Sequence, residues 1–219
     1  MTTHFLRLYT DTHAAGVMSS PLPPVPRAIY VVTGSAIVRA AGQAASLEPN
    51  SAWCATQATT VTAGKNGVRF LRWELVRKDA AGASKGAMPG SNLTLEQDIA
   101  LDAAVEYLMR CDCVGFPAGG EALTHVHQGP GIRCLLSGSI RIDSEGVSHS
   151  YAAGEAWFEA GPQPVYAAAS PDTPTAFVRV MILPRTCHGK SSIRYVRPED
   201  ADKPKLQKYQ IFADEFIET

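Results

Sequence analysis

An internal repeat constrains this chain more than any other feature. The stretch VPRAIYVVTGSAIV (Val25 to Val38) lies over GPGIRCLLSGSIRI (Gly129 to Ile142), pairing Pro26 with Pro130, Gly34 with Gly138 and Ser35 with Ser139. Without a gap the register continues through Gly42 and Gly146, Ser46 and Ser150, Ala52 and Ala156, and Trp53 and Trp157. After a three-residue insertion in the second copy it resumes with FLRWEL (Phe70 to Leu75) over FVRVMI (Phe177 to Ile182). Aligned turn glycines followed by an aligned tryptophan are hard to obtain by chance, so the chain reads as a duplication.

What each copy folds into follows from its punctuation. Fifteen prolines and 18 glycines separate short runs rich in Val, Ile, Phe, Tyr and Trp, the pattern of many short strands. Each copy has too many strands for one open sheet, and closure removes exposed edges. The expectation is an all-β chain of two tandem small antiparallel β-barrels. Helical periodicity occurs only around Leu95 to Ala104 and in the last ten residues. It predicts a short helix before the second copy and a C-terminal helix carrying Ile211, Phe212, Phe216 and Ile217 on its apolar face. The segment Lys78 to Asn92, rich in Gly, Ala and Ser, reads as a surface linker. The predicted divisions are 1–78, a linker and short helix at 79–103, and 104–219.

Composition excludes several classes. With 45% hydrophobic and 19% charged residues in 219, disorder is not the theme. Lys and Arg number 20 against 21 Asp and Glu, with no basic stripe for phosphates, so nucleic acid is not an expected partner. No apolar run is long enough to span a membrane, and the opening MTTHFLRLYTD has no charged-then-apolar leader pattern, so a cytoplasmic location is expected. Five cysteines without C-x-x-C spacing read as reduced, buried thiols. His4, His13, His149 and His188 have no partner at a useful spacing and read as surface residues. No nucleophile elbow, P-loop or dinucleotide fingerprint occurs.

The chemistry gathers in the second copy. His125 and His127, two apart on a strand, share a face at about 6.5–7 Å and can converge on one ion or ligand. Glu159 lies two residues beyond Trp157, where the first copy has Ala55. If the tryptophan faces inward the carboxylate does too, as a third ligand or a general base; otherwise it meets solvent at a strand end. Glu121 is a weaker candidate. Arg133 stands where the first copy has Ile29, either as an inward guanidinium that pairs with Glu159 or a substrate carboxylate, or as an outward surface residue. Trp157 and Tyr166 are candidates to line the same cavity.

The segment GGEALTHVHQGPGIRCLLSG (Gly119 to Gly138) resembles the first motif of the cupin family, matching it at His125, His127 and Gly138. AAGEAWFEAGPQPVYA (Ala152 to Ala167) resembles the second, at Gly154, Glu155 and Pro164. With the repeat, the likeness covers nearly the whole chain and is that of a bicupin. It implies a double-stranded β-helix, or jelly roll, for each copy and a metal at His125 and His127, with iron, manganese, nickel or zinc as the candidates. Glu159, found by comparing the copies, is the candidate third ligand, and a homodimer is expected. The family's glutamate position is Gly131, and its second-motif histidine position is Val165, so two of the four usual ligands are replaced. In the first copy the H-x-H register falls on Pro21 and Pro23.

The resemblance allows an oxygenase, isomerase or lyase acting on a small anionic metabolite, with Glu159 catalytic and Arg133 anchoring the anion. The loss of two ligands equally allows a metal-free binding or sensing module, and a structural dimer subunit is a third reading.

Overall fold

Sixteen β-strands and three short 3-10 turns form the computed structural model over the described residues, 1–83 and 89–219. The chain divides into two compact units, Met1–Met109 with Glu215–Thr219, and Arg110–Asp214. No helix of the described residues is long and apolar enough to cross a membrane.

The first unit is built on β1 (Thr2–His13), β2 (Arg27–Ala40), β3 (Gln43–Leu47), β4 (Ser51–Ala55), β5 (Thr59–Arg77) and β6 (Ser91–Leu101). They pair antiparallel in the order β3-β2-β5-β1-β6, and β4 also pairs with β2. The strands that follow are β7 (Tyr107–Phe116), β8 (Glu121–His127), β9 (Gly131–Ser137), β10 (Ser139–Ser144), β11 (Val147–Ala152), β12 (Ala156–Glu159), β13 (Val165–Ala169), β14 (Thr175–Pro184), β15 (Ile193–Tyr195) and β16 (Lys208–Ile217). They form two five-stranded sheets, β11-β10-β13-β8-β15 and β12-β9-β14-β7-β16.

The repeat is visible in turns and cores. Both copies turn a hairpin at a residue pair with positive φ, Ala41–Gly42 and Glu145–Gly146, as a type I′ turn requires. Gly34 and Gly138 adopt φ of +75° and +74°, and a Cβ on Gly138 would stand 2.4 Å from Thr175 Oγ1. Aligned residues occupy the same core positions: Val31 and Leu135, Ala36 and Ile140, Val38 and Ile142, Val61 and Val165, Ala63 and Ala167, Phe70 and Phe177. Each large apolar side chain so buried contributes about 1.5–3 kcal/mol. An ion pair recurs as well, Arg72 with Asp11 at 2.7 Å and Arg179 with Asp112 at 2.6 Å.

Neither expected helix is present. Leu95 to Leu101 belongs to β6, paired along β1 from Thr2↔Leu101 to Asp11↔Ser91. Leu95 and Ile99, four apart, satisfy a strand's period of two as well as a helical turn, and β1 supplies the backbone partners that decide between them. The C-terminal segment is β16, at the edge beside β7. A ten-residue helix is marginal in water, whereas a free sheet edge satisfies its backbone at once. Residues 79–103, expected as linker and helix, hold a 3-10 turn at Lys78–Ala83 and then β6, within the first unit. The centre of the expected linker, 84–88, lies outside the described residues.

His4 and His13, expected at the surface, are buried in β1 at 1% and 4% exposure. Nine residues apart, they lie on opposite faces of β1 and both are covered; His13 packs edge-on against Phe70 at 5.4 Å. No disulfide joins the cysteines among the described residues, and Cys111, Cys134 and Cys187 are buried. Burial, then the neighbouring Asp112 charge, pushes the Cys113 thiol up to about 11, so it is not an activated nucleophile.

Candidate functional site

The second unit encloses a cavity of about 250 Å³. His125 and His127 reach it from β8, Arg133 from β9, Trp157 and Glu159 from β12, and Arg110 and Asp112 from β7. A β-bulge shapes the histidine side. Val165 of β13 faces His125 and Ala167 faces Ala122, so Leu123 and Thr124 together oppose one residue of the partner strand. The extra residue flips the alternation and brings both Ala122 and His125 to the cavity. Tyr166 lies on β13 between the inward Val165 and Ala167, and it is not among the residues lining the cavity. Its hydroxyl donates to Glu121 on the exposed side instead.

Glu159 and Arg133 both face inward. One Glu159 oxygen, Oε2, lies 2.8 Å from His127 Nε2 and 2.9 Å from Arg133 Nη2. The other, Oε1, accepts a bond from Trp157 Nε1 at 2.7 Å. Arg133 Nη1 donates to the Gly131 carbonyl at 2.5 Å, and a Cβ at Gly131 would meet that same nitrogen at 3.0 Å. That Cβ would come closer still to the Val180 carbonyl oxygen, at 2.6 Å, and to Met181 Cγ, at 2.8 Å, so backbone, Met181 and guanidinium together close the space beside Gly131.

Burial sets the protonation states. Desolvation, reinforced by repulsion from Arg133, pushes the His127 imidazole down to about 3 despite the pull of Glu159. Burial by itself would raise Glu159, but Arg133 and then His127 outweigh it and hold the carboxyl below its ordinary range. Burial lowers Arg133 to about 10 against the attraction of Glu159. His125 is lowered by burial too, partly offset by the Leu123 carbonyl. Its Nδ1 donates to that carbonyl at 2.7 Å, which leaves the Nε2 lone pair free to accept. The two imidazoles meet edge-on at 4.9 Å.

As a donor set for a metal ion these residues fit poorly. Among the described residues no group of three or more His, Cys, Asp or Glu converges as ligands. Both oxygens of Glu159 are engaged, one of them by a fixed guanidinium, and the positions that would complete the family's ligand set are Gly131 and Val165. A cation beside Arg133 would meet repulsion in a medium that screens poorly.

Several lining residues were not anticipated from the sequence. Arg179 is held by Asp112 through Nε and Nη2, at 2.6 and 3.1 Å. Arg110, 1% exposed, donates to both oxygens of Asp214 and to the Cys187 and Lys190 carbonyls. Lys205 and Tyr195 stand at the rim, the ammonium 4.3 Å over the ring. One signal was present: the aligned FLRWEL and FVRVMI place Arg72 over Arg179, an arginine retained in both interiors. Asp112 and Arg110 carried none, since their partners come from far along the chain.

No family model matches the sequence, and no curated protein matches it. Solved structures do match in shape. A deletion mutant of Bacillus subtilis oxalate decarboxylase OxdC superposes with a TM-score of 0.63 at 13% identity, over 90% of this chain and 73% of that one. AerE from Microcystis aeruginosa gives 0.59 at 10% identity, over 84% and 88%. The shared feature is the fold, an antiparallel all-β architecture.

Proposed function

We propose that this chain is a metal-independent cupin-type protein that binds a small carboxylate-bearing metabolite in the cavity of its second unit. The observation that carries this reading is Arg133, a buried guanidinium two residues beyond the family's glutamate position at Gly131, charge-balanced by Glu159. This fixed cation shares Glu159 Oε2 with His127, within the group expected to hold a metal. Glu159 serves as counter-ion and as anchor for His127 and Trp157, because a carboxylate held so far down is a poor proton acceptor at neutral pH. His125 offers a neutral Nε2 to a ligand hydroxyl or to an acidic C–H. Proton transfer at that atom is the chemistry open to an enzymatic version of the site, of the isomerase or lyase kind.

We also read the two units as tandem cupin barrels, the first a scaffold in which the buried arginines among the described residues, Arg7, Arg27 and Arg72, each face a carboxylate. The matched core positions and the recurrent Arg–Asp pair support that reading. The oxalate of the neighbouring decarboxylase is one acid to try, in a wider panel. The test is calorimetric titration of the untagged protein with small mono- and dicarboxylic acids, before and after chelation, beside the His125→Ala variant. Binding that survives chelation and weakens in the variant is expected; binding only after metal addition overturns the reading.

A further inference from the structure

The cavity has two ends of different chemistry. Along β7 the inward residues run Arg110, Asp112, Val114, Phe116; along β14 they run Phe177, then Arg179. Asp112 and Arg179 meet at one level, where Glu159, Arg133 and the histidines also stand. Phe116 and Phe177 meet at the other, 6.2 Å between ring centres, with Trp157 edge-on to Phe177 at 5.2 Å. Trp157 bridges the levels, its ring among the phenylalanines and its N–H on Glu159.

The polar end faces the solvent. Ile193 and Tyr195 of β15 pair with His127 and His125, so the rim lies at the histidine level, and the exposed lining residues Lys205 and Tyr209 belong to it. The side chains of both levels are buried, Val114, Phe116, Ile142, Val165 and Phe177 at 7% exposure or less and Asp112, Arg133, His125, His127 and Arg179 at 8% or less. It is the exposed Ser191, Lys205 and Tyr209 that mark the open side. The charges also have an order. Arg110, Arg133 and Arg179 each face a carboxylate, of Asp214, Glu159 and Asp112. Lys205 donates only to the Asp200 and Lys203 carbonyls, so among the described residues one cationic charge at the rim has no carboxylate against it.

Resting on the reading of the cavity as a site for a small acid, we propose that its ligand is a monocarboxylate with an apolar body, the hydrocarbon seated among Val114, Phe116, Ile142, Val165 and Phe177 and the carboxylate at the rim beside Lys205. A second carboxylate would have to enter a closed apolar end with no partner, which is costly.

The experiment is calorimetric titration of the full chain with straight-chain monocarboxylates from acetate to octanoate and with dicarboxylates of equal length, oxalate included. Affinity is expected to rise about fourfold per methylene until the apolar end is full, with each dicarboxylate at least about tenfold weaker than its monocarboxylate. Lys205→Met should weaken the whole series and leave the dependence on chain length unchanged. A flat series, or dicarboxylates as the tighter binders, overturns this inference and leaves the acid-binding reading standing. Failure of every acid in both series overturns both.

Discussion

Arg133 Nη2 and Glu159 Oε2 meet 2.9 Å apart inside the second unit, at the two positions where the first copy of the repeat has Ile29 and Ala55. Both charges occur in one copy and neither in the other. The physical reason is desolvation: either charge buried alone would cost several kcal/mol, and the pair cancels most of it.

The pair should therefore behave as a unit in a double-mutant cycle. Arg133→Ile or Glu159→Ala alone is expected to destabilise the protein by about 3–5 kcal/mol, because each leaves its partner buried and uncompensated. The double substitution, which restores the residues of the first copy, should recover most of that loss. Urea unfolding measures all four corners; additive losses would show that the two charges are solvated independently.

Stability should fall as the solution is acidified below about pH 6.5. His127, His125, His4 and His13 all have folded-state values below the ordinary 6.5, burial being the first cause in each. Their contribution is fully present above that value and is lost on descent, since the unfolded chain takes up protons that the folded chain refuses. Glu159, lowered from 4.5, acts in the same direction further down. For His127 the loss extends to about pH 3 at up to about 1.4 kcal/mol per pH unit. Urea midpoints between pH 7.5 and 5 read the slope, and His127→Gln should flatten it.

Arg110 is expected to act as a staple on the rim of the cavity. Its guanidinium ties the Cys187 and Lys190 carbonyls to Asp214, which also accepts from the Gly189 N–H. Arg110→Met should cost about 3–5 kcal/mol by stranding the Asp214 carboxylate. Hydrogen exchange offers the local readout: the Gly189 and Lys190 amides should lose protection before the core strands do. Uniform loss across the unit would mean that Arg110 is part of the global core instead.

Metal content separates the proposed site from the family's usual one. The protein purified without an affinity tag or added metal should carry far less than one equivalent of iron, manganese, nickel or zinc by elemental analysis, and its thermal midpoint should not move on chelation. One equivalent that disappears in the His125→Ala/His127→Ala double variant would establish a metal site and overturn the guanidinium reading.

Much of this was legible in the residues themselves. The aligned glycines mark turns whose backbone geometry depends on a local conformation, and the shared apolar positions become core because period-two alternation is a local property. The inward direction of Arg133 and Glu159 was one of two open alternatives, resting on strand parity counted from Gly131 and Trp157. Parity counted from Val165 turns Tyr166 outward, as found; it fails on β8, between Ala122 and His125. The bulge at Leu123 and Thr124 realigns β8 against β13, and no residue type announces it.

By itself, then, the sequence determined the repeat, the all-β character and the spacing of His125, His127, Arg133 and Glu159 along their strands, because each depends on a pattern within a few residues. Only the tertiary structure decided that Leu95–Leu101 and the C-terminal segment are strands, since their backbone partners come from β1 and β7. Only it brought Asp112 to Arg179 and Asp214 to Arg110, pairs separated by 67 and 104 residues. A charge is buried only where a partner arrives to neutralise it, and for these arginines the partner is supplied by the closing of the fold.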